Sequence, residues 1–247
     1  MSITINALRH DTYYFFLKQI KNILFISLAI ACINITIDTF IQPDVHIMSI
    51  IEEKNFINSN SLLDLINNMN QAEKYELFKY SILKIIMLLI SKTLLLGGII
   101  TLILSSLEKR NKPITFLVYF LYKFIPSIFI LNCLTAIIIQ LGFMFLIIPG
   151  ILLSILLSLS PIIFSFKKHG LIDSMCSSVY ISWKYINIIG PSILFWMIGR
   201  FFLTIIFSNF CFFNKNIIFF ILNISTNMLF SFLIVYLFRF YMLISRT

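Results

Sequence analysis

Two cations interrupt segments that are otherwise hydrocarbon: Lys92 in LISKTLLLGG and Arg200 in WMIGRFFLT. A charge near the centre of a bilayer costs about 2.5 to 3.5 kcal/mol on insertion scales, so such a residue either has a task or a way out. Lys92 sits only about eight residues inside the end of its segment, where a lysine can snorkel to the headgroups. Arg200 lies deeper. Its segment and the last one are joined by a short loop centred near Cys211 to Phe213, and residues equally far from that loop share a depth. Arg200 therefore stands level with Asn223 to Asn227, part of the stripe Asn216, Asn223, Asn227 and Ser231, whose spacing keeps it largely on one helix face. The stripe has three readings. It can be glue between helices, it can form with Arg200 a polar pocket for an anion such as a lipid phosphate, or it can reflect asparagine accumulation from AT-rich codons.

Chemistry of other kinds finds little footing. All ten acids lie outside the apolar segments, and neither Lys92 nor Arg200 has an intramembrane carboxylate. No apolar segment carries the Asp, Glu or His that a general acid or base, or a proton-coupled carrier, would need. P-loop, G-x-S-x-G and H-E-x-x-H patterns are absent, and no cofactor is implied. Cys32, Cys133, Cys176 and Cys211 form no C-x-x-C pair and read as small apolar fillers. His10, His46 and His169 are scattered, and Asp44-Val-His46 reads as solvated loop, so no metal site is expected.

Small residues form ladders instead. Thr93, Gly97, Thr101 and Ser105 repeat every four positions, as do Gly150, Ser154 and Ser158. This spacing lets helix backbones approach closely in lipid, where no hydrophobic force drives association.

The elements that must position these residues follow from composition. With 60% hydrophobic and 12% charged residues and a mean hydropathy of +0.98, the solvent for most of the chain is lipid. Residues 124–166 carry no charge, and as one helix they would be roughly 64 Å long, about twice the hydrocarbon thickness. Pro149-Gly150 is the natural reversal, with Pro149 near the start of the second arm. The same test elsewhere gives an all-α polytopic membrane protein, a single domain over 1–247. Its six predicted spans lie near 20–37, 85–107, 124–147, 150–166, 188–209 and 217–238.

The formal net charge of +9 encodes topology rather than affinity for nucleic acid. Arg9, Lys18 and Lys21 precede the first span. Lys109, Arg110, Lys112 and Lys123 fill the second connection, Lys167, Lys168 and Lys184 the fourth, and Arg239 and Arg246 the tail. The first connection, 38–84, is acidic. The positive-inside rule thus puts both termini in the cytoplasm and 38–84 outside, and the first segment, lacking a small-x-small cleavage site, is an uncleaved anchor. In GLIDSMCSSVYISWKYIN, Ile172, Met175, Val179, Trp183 and Ile186 recur at helical spacing, which predicts an interfacial helix with Trp183 and Tyr185 at headgroup level. Residues 113–123 read likewise, and SLLDLINNMNQAEKYELFKY reads as a short helix or helix pair capped by Ser61.

An ordered set of segments carries a family resemblance: MSITINALRHDTYYFFLKQI, LLDLINNM, LGGII, PGILLSILLSLSP, SMCSSVYISW and VYLFRFYMLI. Together these resemble the YciC family of uncharacterised bacterial inner-membrane proteins, from first residue to last. The resemblance implies a multi-pass inner-membrane protein and supplies no activity, catalytic residue or cofactor. The expectation is a non-enzymatic scaffold or a protein that contacts membrane lipids in envelope maintenance, with a small permease or transporter subunit as the alternative and an embedded enzyme behind both.

Overall fold

The computed structural model describes residues 5–40, 70–107, 114–166, 170–209 and 215–245, and among them every regular element is a helix. In chain order these are α1 (Ile5–Lys18), α2 (Ile20–Phe40), α3 (Gln71–Leu107), α4 (Ile114–Phe145), α5 (Ile147–Leu157), α6 (Ser160–Ser165), α7 (Leu171–Lys184), α8 (Ile186–Ser208) and α9 (Lys215–Ile244). Among the described residues six helical stretches are long and apolar enough to cross a membrane: Ile20–Thr39, Gln71–Ser106, Ile125–Phe145, Ile147–Ser165, Ile186–Ser208 and Ile217–Ile244. Each overlaps one of the six spans read from the sequence, the second starting at Gln71 instead of near 85 and the last running on to Ile244.

The chain divides into two compact units, one of residues 1–32 and 92–247 and one of residues 33–91. In the larger unit, α9 is the centre. Its residues Leu233 to Phe238 are all buried, so this stretch is covered on every face, as a helix apolar all round must be. Around it stand α1, α6 and α8. Phe166 stacks on Phe238 and Tyr241 at 5.3 and 5.1 Å, and Tyr185 meets Phe240 edge-on at 5.7 Å. The helix α1 buries Leu8, Thr12 and Phe15, one face at helical spacing, and the Arg239 guanidinium lies 4.7 Å over the Phe15 ring. In the smaller unit, Lys84 pairs with Asp38 and the Ser91 hydroxyl donates to Asn34.

The reversal between α4 and α5 is a single extended residue, Leu146, at φ −162° and ψ 158°. Pro149 falls in the first turn of α5, where its missing amide leaves no helical bond unmade. The two arms touch through glycine. A Cβ on Gly150 would lie 2.5 Å from the Phe143 ring, and one on Gly142 would lie 3.1 Å from the Gly150 Cα.

The fourth span is broken. Helix α5 ends at Leu157, and α6 starts again at Ser160 with Pro161 in its first turn. Proline cannot return a bond to the carbonyl four residues earlier, that of Leu157. The Ser160 hydroxyl donates to that carbonyl at 2.6 Å, and Ser178 from α7 donates to Leu156 O, also at 2.6 Å.

Two short helices expected as separate pieces are continuous with their spans. From Gln71, α3 runs unbroken for 37 residues, because QAEKYELFKYSILK is made of good helix formers with no breaker. It opens with a half capping box, the Asn70 amide donating to Glu73 Oε2 at 2.9 Å. The expected Ser61 cap lies outside the described residues. Likewise α4 begins at Ile114 and passes through Pro126, so 114–123 extends the third span instead of lying apart. The interfacial helix after the hairpin does stand alone as α7.

Candidate functional site

Lys92 stands on α3 and Arg200 on α8, each within an apolar span. Both side chains are exposed on the protein surface. Lys92 lies fifteen residues, roughly 22 Å, from the Leu107 end of α3, and Arg200 fourteen residues, roughly 21 Å, from the Ile186 end of α8. Six crossings put Leu107 and Ile186 on one face, so the two cations share a depth. That depth is roughly 8 Å short of the opposite face of a hydrocarbon core about 30 Å thick. Two like charges at one level in a low-dielectric setting repel unless an anion or headgroup water lies between them.

The polar stripe on α9 has other partners. Asn223 donates to Phe219 O at 3.0 Å, Asn227 Nδ2 donates across to Ser27 O on α2 at 3.2 Å, and the buried Ser231 hydroxyl donates to Asn227 O at 2.8 Å. Asn227 thus ties α9 to α2. The stripe's fourth member, Asn216, has a side chain outside the described ones, as do Lys109, Arg110, Lys112, Lys167, Lys168 and Arg246. Asp44, His46, His169 and Cys211 are also outside the described residues.

Thr93, Gly97 and Thr101 are buried, and Thr93 Oγ1 accepts from Asn132 Nδ2 of α4 at 3.1 Å. Thr101 and Ser105 donate to Gly98 O and Leu102 O of their own helix, and Ser154 and Ser158 to Ile151 O and Ile155 O. Such bonds remove the hydroxyl's own cost in lipid.

A further ladder escaped the sequence reading. On α7, Ser174, Ser178 and Ser182 are each 0% exposed and face α5 and α6, while Ile172 and Trp183 point outward. The spacing of four was present in the sequence, but an amphipathic reading counts serine as the wet face. In lipid the logic inverts, because small polar residues pack inward and large apolar ones face the acyl chains. Tyr185, expected at headgroup level, is instead half-buried against Phe240.

With six apolar helices long enough to cross a membrane among the described residues and exposed aromatic surface, the molecule is a multi-pass membrane protein. It belongs to the Uncharacterised protein family (UPF0259), whose model matches residues 1–243. This is the family to which the YciC resemblance points. A UPF0259 membrane protein of Buchnera aphidicola subsp. Acyrthosiphon pisum (strain Tuc7) is 60% identical over 247 residues, covering 100% of both chains. A UPF0259 membrane protein of Yersinia pestis (strain Pestoides F) is 29% identical, and one of Photorhabdus laumondii is 28% identical. Each of these two alignments covers 99% of this chain and 97% of the relative. None of the three carries an enzyme's name. No solved structure matches.

Proposed function

We propose that this chain is a lipid-contacting protein of the bacterial inner membrane, inserted with both termini in the cytoplasm and catalysing no reaction of its own. The observation that carries the reading is the presence of two exposed cations, Lys92 and Arg200, at one depth on two spans. A phosphate between them would neutralise both, and at roughly 8 Å from the periplasmic face both side chains can reach the headgroup level of the outer leaflet. Arg200 offers a bidentate fork to phosphate and Lys92 a point charge. The asparagines support a scaffold role beside this: Asn223 and Asn227 donate to backbone carbonyls, which favours packing over a water path.

Purification in native lipid followed by mass spectrometry of bound lipid tests the reading. Arg200→Leu combined with Lys92→Leu should remove most of the retained anionic lipid, and Arg200→Lys alone should keep only part of it. Asn227→Leu should retain the lipid while lowering thermal stability. Unchanged lipid content in every variant, with equal or greater stability for Arg200→Leu, would overturn it.

A further inference from the structure

A second feature, distant in sequence from Lys92, lies between α1, α8 and α9. These helices enclose a cavity of about 990 Å³, at the upper end of the range for ligand pockets, about 300 to 1,000 Å³. Its walls are apolar along most of its length, with Phe195, Trp196 and Leu203 from α8 facing Met228, Leu229 and Phe232 from α9. Phe16 of α1 closes one side, its ring meeting Phe232 edge-on at 5.4 Å, and Trp196 is held against Phe230 at 5.4 Å. Most of its polar groups gather at one end, while Ser225 lies farther along α9 with its hydroxyl donating to Ile221 O. Arg9, Asn187, Ser192 and Tyr236 line the polar end, and the Tyr236 hydroxyl donates to Ile188 O at 3.4 Å, which fixes it level with the first turn of α8. Pro191, also in the wall, returns no bond to the carbonyl of Asn187.

From Ile188 to Leu203 the wall runs fifteen residues along α8, roughly 22 Å, enough to cross one leaflet's share of a hydrocarbon core about 30 Å thick. The polar end is the end from which α8 enters the membrane, and it carries Arg9. We infer that this cavity is a binding site for a single anionic glycerophospholipid of the cytoplasmic leaflet, its phosphate at Arg9 and the Tyr236 end and one acyl chain laid between α8 and α9. The occupant follows from charge and depth. A groove at membrane depth is bathed in acyl chains, and a guanidinium at its mouth selects those attached to an anionic headgroup. This deepens the lipid-contacting reading and depends on its cytoplasmic orientation, but uses residues separate from Lys92 and Arg200.

Trp183 and Trp196 are the chain's two tryptophans, so Trp183→Phe leaves Trp196 in the cavity wall as the sole reporter. The full chain in phosphatidylcholine vesicles is titrated with phosphatidylglycerol brominated on its acyl chain and, separately, with equally brominated phosphatidylcholine. Phosphatidylglycerol should quench Trp196 at a roughly five- to tenfold lower mole fraction. Arg9→Gln, a change at an exposed residue, should erase that preference, and Arg9→Lys should keep part of it. Equal quenching by the two lipids in the parent, or a preference unchanged in Arg9→Gln, overturns the site. If lipid retention still depends on Lys92 and Arg200, the site alone fails. Conversely, a Trp196 preference that survives alongside insensitivity to Lys92 and Arg200 overturns the outer-leaflet contact and leaves this site standing.

Discussion

Pro161 strands the carbonyl of Leu157 in a medium that offers no water, and two serines eighteen residues apart serve that carbonyl and its neighbour. Ser160 answers for Leu157 O from the same helix, and Ser178 reaches from α7 to Leu156 O at 2.6 Å. An unmet carbonyl at this depth costs the full desolvation of the group, about 1 to 3 kcal/mol. Ser178→Ala should therefore lower the stability of the purified protein by about that amount in a denaturation titration in micelles. Ser177→Ala, one position round the helix, should stay within about 0.5 kcal/mol. Equal effects would mean that the bond to Leu156 contributes nothing. The identity of Ser178 as a small residue was legible in SMCSSVYISW, but its partner was not. Which carbonyl lacks a donor depends on where α5 breaks, and the break is set by packing as well as by Pro161.

Among the elements, the hairpin of α4 and α5 is the one whose existence the sequence demands, since 43 uncharged residues cannot make one crossing. The turn itself is narrower than the Pro-Gly pair suggests. Leu146 alone leaves the helical region, Pro149 already lies inside α5, and Gly150 works as a contact against Phe143. Replacing Pro149 and Gly150 together with leucine should push the arms apart and weaken the reversal, because a leucine Cβ has no space beside the Phe143 ring and the local backbone can then continue as helix. A cysteine at exposed Leu146 reports this. It should react readily with a membrane-impermeant maleimide in the parent and markedly less in the double variant. Identical labelling would assign the turn to another element. Gly142 is the other half of the contact, and only the folded hairpin brings it so close to the Gly150 backbone that a Cβ there would lie 3.1 Å from the Gly150 Cα.

For the whole molecule, orientation is the property most open to direct measurement. Reporter fusions after Lys112, after Lys168 and at the carboxyl end should read cytoplasm, and fusions near Asn58 should read the opposite side. An external signal at the carboxyl end would require an odd number of crossings. The number of crossings and the lipid environment were determined by the sequence alone, because each rests on length and transfer free energy summed along one segment. What only the tertiary structure decided is which segments are neighbours. That α9 is the central helix, that α1 folds back on it with Arg239 over Phe15, and that Asn227 bonds to Ser27 two hundred residues away are not encoded in any local period. In water, burial of apolar faces would have marked the interior helices by their pattern. Here lipid is as apolar as the core, so hydrophobicity does not separate inside from outside, and neighbours are chosen by shape, small-residue contacts and a few hydrogen bonds.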